Sequence, residues 1–219
     1  MIRTAAGRFG AALPMILLAA ALVGCATAPR TSLQANWANP QFAGAKFQKI
    51  VIVTVSDLEF GQKIFQDELA ARLQASGVNA VASHRYFSST GPAQKDALRK
   101  IITDSKADGV IFARSVNTET IKQQQADIAG GVPLATTMGL YDVWTGMGMA
   151  VAGVGWVAAP SAVVSASTTT DTYLFEVKGE KLVWSARTNT TNSDQGNLTP
   201  VVTQVVNVVV DAMRKDRIL

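Results

Sequence analysis

The sequence predicts an α/β (α+β) domain: a mixed sheet with a βαβαβ start, a glycine-rich insertion, a C-terminal β-hairpin and a closing helix. Three observations carry this expectation. Two short β-branched runs, Lys49–Val55 and Val110–Ala113, read as buried central strands. Two segments with apolar residues at helical spacing lie between and beside them. A period-two pattern, Ala166–Lys178, turns at Gly179-Glu180 and returns over Lys181–Thr190.

The elements follow in order. Lys49-Ile50-Val51-Ile52-Val53-Thr54-Val55 is apolar on both faces, as a strand covered by helices on both sides must be. Phe60–Ser76 places Ile64, Phe65, Leu69 and Leu73 on one helical face, and Gly77 closes it at C′. Val78–Ala82 is a second strand. Gly91-Pro92 opens a helix to about Ala107, with Leu98, Ile101 and Ile102 inward, and Asp108-Gly109 turns the chain into the third strand. Alternation at this spacing implies right-handed crossovers. In the hairpin, Tyr173, Phe175 and Val177 are expected on one face and Leu182 and Trp184 together on one face. For the last segment, Thr199 is the expected N-cap and Pro200 the N1 residue. Val201 to Met213 keeps helical spacing, although its valines leave a strand over Val205–Val210 as a competitor. The basic end Arg214-Lys215-Asp216-Arg217 favours the helix.

The first residues address the chain. Arg3 and Arg8 precede an apolar run, Ala11–Val23, that ends in Leu22-Val23-Gly24-Cys25. A basic start, a short apolar run and a small-residue site make a secretory signal, and the run is shorter than the ~20 residues a spanning helix needs. Residues 1–24 are therefore expected to be a signal peptide. Leu22-Val23-Gly24-Cys25 resembles the lipobox of bacterial lipoproteins. That resemblance implies a diacylglycerol and an N-acyl group on Cys25, palmitate among them, and no other cofactor. By the same resemblance, Ala26 and not Asp after the cysteine implies the outer membrane, with the domain facing the periplasm. Several acyl chains anchor stably, since each buried CH₂ contributes about 0.8 kcal/mol. Residues 25–46, rich in Ala, Asn, Pro, Ser and Gln, are expected to be a flexible tether spanning roughly 25 Å. Residues 47–219 then form one domain.

Composition narrows the function. Cys25 is the only cysteine, so no disulfide or thiolate chemistry is expected. The net charge of +4 includes Arg3 and Arg8, leaving about +2 on the mature chain, with no basic patch for nucleic acid. One histidine, His84, removes most metal sites and most Ser-His arrangements. No G-x-S-x-G elbow exists. Gly146, Gly148, Gly153 and Gly155 do not complete a phosphate-binding pattern, because position 151 is Val and no Gly-Lys-Ser/Thr follows. The carboxylate pairs Asp57/Glu59 and Asp67/Glu68 read as solvated charge. No small-molecule substrate is evident.

The stretches Lys49–Asp57, Gly77-Val78, Lys106–Ile111 and the hairpin pair resemble a broad group of small envelope lipoproteins. Their fold is similar to the TolB amino-terminal domain and the periplasmic domains of CsgG and LpoB. That resemblance implies either a partner-binding module or an oligomeric secretion or pore component. The feature left over is the insertion at about 130–163. From Gly130 to Thr170 its only charge is Asp142, and Thr145–Val164 has none. Packing on its own sheet, a patch for an envelope protein or a sister copy, membrane contact and a membrane span all fit such a segment. Trp144, Met147, Met149 and Trp156 are the expected contact residues. The leading expectation is a non-enzymatic interaction or assembly module on a lipid anchor. A cell-wall hydrolase is the remaining class.

Overall fold

A computed structural model describes residues 29–42, 46–55, 59–86, 95–117, 128–129, 132–133, 139–142, 167–191 and 197–219. The strands are β1 (Arg30–Ala38), β2 (Lys49–Val55), β3 (Asn79–Ala82), β4 (Gly109–Asn117), β5 (Ile128–Ala129), β6 (Val132–Pro133), β7 (Ser167–Glu176) and β8 (Lys181–Thr191). The main helices are α1 (Glu59–Ala75), α2 (Lys95–Ser105) and α3 (Leu198–Lys215).

Six strands form one mixed sheet in the order β1-β8-β7-β4-β2-β3, and β5 and β6 form a separate two-stranded ribbon. β3 and β4 both pair parallel with β2. β4–β7, β7–β8 and β8–β1 are antiparallel. The chain moves outward from β2 to β3, then back across β2 to β4. Right-handed crossovers in opposite directions put α1 and α2 on opposite faces. α1 and α3 cover one face, where Leu69, Leu73, Val206, Val209 and Met213 meet Ile50, Ile52, Ile111, Leu174 and Trp184. α2 covers the other, where Leu98, Ile101 and Ile102 meet Val51, Val53, Val110, Phe112 and Phe175. β2 is buried on both sides, which is why it reads as an unbroken apolar run.

The α/β class, the βαβαβ order, the hairpin and the closing helix are all present. Four details differ from expectation. Residues 30–38 of the expected tether are edge strand β1, paired with β8 from Arg30↔Thr191 to Ala38↔Trp184. The strand is largely exposed, so its composition is polar and its pattern is not that of a core strand. In the hairpin a bulge falls between Leu174 and Phe175, and β8 loses its alternation there. Leu182 therefore packs with the α2 face, while Val183 and Trp184 pack with the α1/α3 face. The cap of α3 is Asn197, whose side chain accepts the Thr199 N–H. Pro200 sits at N3, where its missing N–H would have had no helical partner. The strand alternative for Val205–Val210 gives way to helix.

All three helices exit by the same pair of hydrogen bonds. The N–H groups of Val78, Ala107 and Ile218 reach back to the carbonyls of Leu73, Ile102 and Met213 at 3.0, 3.1 and 2.9 Å. The residues before them, Gly77, Lys106 and Arg217, have φ of 86°, 54° and 60°. These are Schellman exits, and each sends a buried residue into the core two or three positions past the helix. Asp108 then joins the layers: its carboxylate accepts the Gln48 and Lys49 N–H groups at 2.7 and 2.9 Å.

Candidate functional site

The end of the sheet at which β2 and β4 finish is where the core opens. The side chains facing α1 and α3 shrink row by row toward it. One row across β2, β4, β7 and β8 is Ile52, Ile111, Leu174 and Trp184. The next on that face is Thr54, Ala113, Thr172 and Ala186, followed by Ser115, Thr170 and Thr188, then Thr168 and Thr190. The helices do not descend to meet the smaller residues. A cavity of about 160 Å³ results, floored by Ala113, Ser115, Thr168, Thr170 and Thr190 and walled by Phe65 of α1 and Val201, Val202 and Val205 of α3.

Two of its hydroxyls are committed elsewhere. Thr54 Oγ1 accepts from Gln66 Nε2 at 2.8 Å. Thr190 Oγ1 lies 2.8 Å from Thr31 Oγ1 of the edge strand. The surface left to the cavity is mostly carbon.

Gln66 is fully buried and organises the adjoining wall. Besides Thr54, its Oε1 accepts the Ser83 hydroxyl at 3.1 Å and the His84 N–H at 2.8 Å. His84 Nε2 lies 3.0 Å from Asp67 Oδ1, and Arg85 donates to the same oxygen at 2.7 Å. Burial raises the Asp67 pKa, but the hydrogen bonds and charges of His84 and Arg85 outweigh it, so the net shift is downward. Ser83 and His84 thus face different partners and do not form a nucleophile–base pair.

On the opposite face, Arg114, Asp171 and Arg187 form one transverse row across β4, β7 and β8. Arg187 holds the Asp171 carboxylate by two bonds of 2.6 and 2.9 Å, and Arg114 Nη2 stands 3.5 Å away. Asp171 is buried, with its side chain 2% exposed. The sequence reading passed over this row, because its three members are 57 and 16 positions apart in the chain. It also passed over the cavity. The signal was the threonine-rich Ser167–Thr172 and Thr188–Thr191, small residues in strands whose other segments carry large ones.

Cys25, Trp144, Met147, Met149 and Trp156, the contact residues expected from sequence, lie outside the described residues, as does the insertion apart from 132–133 and 139–142. Asp57 lies outside them too. Of the other carboxylates, Asp67 holds His84 and Arg85, and Glu68 pairs with Arg72 at 3.5 Å. Among the described residues no group of three or more His, Cys, Asp or Glu gathers to hold a metal. No helix among them is long and apolar enough to cross a membrane.

These features define a class: a six-stranded mixed α/β domain with an apolar cavity at the carboxyl end of its parallel strands. Neither a family model nor a curated protein matches the chain. Solved structures with a similar course include two of dodecameric PelC from Paraburkholderia phytofirmans, one of them a variant. They share 14% and 13% identity, cover 83% of this chain and 95% and 94% of theirs, and have TM-scores of 0.43 and 0.42. At that level the likeness bears on neither activity nor assembly.

Proposed function

We propose that this chain is a non-enzymatic lipoprotein anchored through acylated Cys25 in the outer membrane, its α/β domain serving in the periplasm as an interaction or assembly module. One observation supports the reading above the others. β1 begins at Arg30, five residues after Cys25, and its first pairings are Arg30↔Thr191 and Thr31↔Thr190. The same rows continue through Ser167 and Thr168 to Asn117, the last residue of β4. The residues that lead into and out of segment 118–166 therefore stand at the end of the sheet that the anchor reaches. Five extended residues span at most about 17 Å. On this reading the domain is held close to the bilayer, and its apolar insertion works near the membrane surface, on a partner or a sister copy.

A photo-crosslinking residue at Trp156 in living cells tests the reading. A discrete protein adduct is the expected result. A lipid adduct alone would replace the module by a membrane-docking or pore-forming one, and no intermolecular adduct would remove the insertion from the proposed role. The mass of the peptide beginning at Cys25 tests the anchor separately.

A further inference from the structure

We infer that the cavity beneath α1 and α3 is a binding site for a single acyl chain, drawn from the lipid layer to which this end of the domain is tethered. The inference rests on the lipoprotein reading for its source of ligand and on the cavity itself for its chemistry.

The chemistry comes first. Ala113, Phe65, Val201, Val202 and Val205 present hydrocarbon. Thr54 and Thr190 turn their hydroxyls to Gln66 and Thr31. Gln62, Ser115, Thr168 and Thr170 also border it, but its exposed lining is mostly carbon, whereas a water needs two to four polar partners to be held. A volume of about 160 Å³ suits a run of hydrocarbon: a dry cavity of about 150 Å³ lined by aliphatic residues takes up benzene. A flexible chain end of about six carbons is the corresponding lipid fragment. No cation among the lining residues would recognise a phosphate, so the site selects the tail and not the headgroup.

The location comes second. Thr168 and Thr190, which line the cavity, share a row with Thr31 at the start of β1. The cavity thus opens at the end of the sheet where the chain departs toward Cys25. An acyl chain in the adjacent leaflet, or one carried by Cys25 itself, is held there at high effective concentration. Sequestering one chain leaves the others on Cys25 to keep the domain on the membrane, since two suffice for stable anchoring.

The test places a short diazirine side chain at position 202 of the full chain in living cells, with the same side chain at position 209 as a control. Val209 is buried in the same core but does not line the cavity. The expected product is a lipid adduct at 202 and none at 209. A free phospholipid adduct identifies the bilayer as the source; a link to the acylated Cys25 peptide identifies the chain's own anchor. Filling the cavity by Ala113→Leu is expected to lower the adduct yield about tenfold, the affinity two buried methylenes carry. Thr168→Val keeps the volume and removes a hydroxyl, so its adduct yield is expected to hold or rise; this variant decides the matter if Ala113→Leu does not fold. Equal yields at 202 and 209, no lipid adduct at 202, or a fall with Thr168→Val would overturn the inference. An unacylated Cys25 peptide would instead overturn the lipoprotein reading, whatever happens at 202.

Discussion

Replacing Asp171 by Ala should cost as much stability as truncating a large core side chain. Its carboxylate lies between two guanidinium groups, bonded at 2.6 and 2.9 Å to Arg187 and 3.5 Å from Arg114. The three side chains are 2%, 15% and 9% exposed. Removing the carboxylate leaves two like charges facing each other across β7 with little water to screen them. Breaking a buried pair in this way typically costs about 3–5 kcal/mol, because the remaining charge stays desolvated. For a domain of this size each kcal/mol moves the melting temperature by roughly 2–4 °C, so a fall of about 6–20 °C is expected. Urea denaturation followed by tryptophan fluorescence measures the loss directly, with an unchanged m-value marking a pure stability effect. The triple variant Arg114→Met, Asp171→Leu, Arg187→Met should recover most of it, since an apolar replacement of the whole group costs little. A loss below about 1 kcal/mol for Asp171→Ala would refute the reasoning, placing the row in effectively high dielectric.

Three further outcomes are expected. Lys106 sits at C′ of α2 with φ 54°, a conformation that costs an L-residue about 1–2 kcal/mol, so Lys106→Gly should raise stability by about 1 kcal/mol net of glycine's greater unfolded-state entropy. Gly109→Ala should destabilise by about 1–3 kcal/mol, because a Cβ there would stand 2.7 Å from the Phe47 ring; Phe47→Leu in the same chain should restore part of the loss. Outweighing the effect of burial, His84 and Arg85 hold the Asp67 carboxyl below the usual carboxylate range in the folded state, so its contribution is fully present above about pH 4 and disappears as pH falls through the folded pKa. Asp67→Asn should accordingly flatten the acid limb of a melting-temperature profile; an unchanged limb would show that the His84–Asp67–Arg85 contacts contribute nothing there.

What could be read from sequence was whatever a local pattern encodes. β2 and β4 announce themselves through β-branched runs, α1 through spacing and Gly77, and the hairpin through alternation about Gly179-Glu180. β1 did not, because an edge strand with one exposed face needs no apolar run, and its pairing with β8 joins residues such as Thr31 and Thr190 that are 159 positions apart. The hairpin bulge was hidden for a related reason: Leu182 and Trp184 keep their period of two, and only the register of β7 reveals the extra residue. Two of the three helix exits escaped a search for glycine, since Lys106 and Arg217 occupy the left-handed position. Their signal was the buried Ala107 and Ile218 just beyond. The cavity was illegible because a threonine reads as a surface residue until its row is known to face inward.

The attachment of β1 also sets how the domain responds to force. Tension entering before Arg30 reaches the sheet through the Arg30–Thr191 pair, and from there crosses β8 to Ser167 in the same row. If the proposed anchor at Cys25 is correct, a load applied between it and segment 118–166 would run across one end of the sheet. If the pull is perpendicular to the strands, β1 peels from β8 one pair at a time, beginning beside the cavity, while the core between β2 and α1 stays intact. The domain would yield first at its edge, and the Asn36–Asp216 bond to the end of α3 would be lost as the later pairs of β1 open.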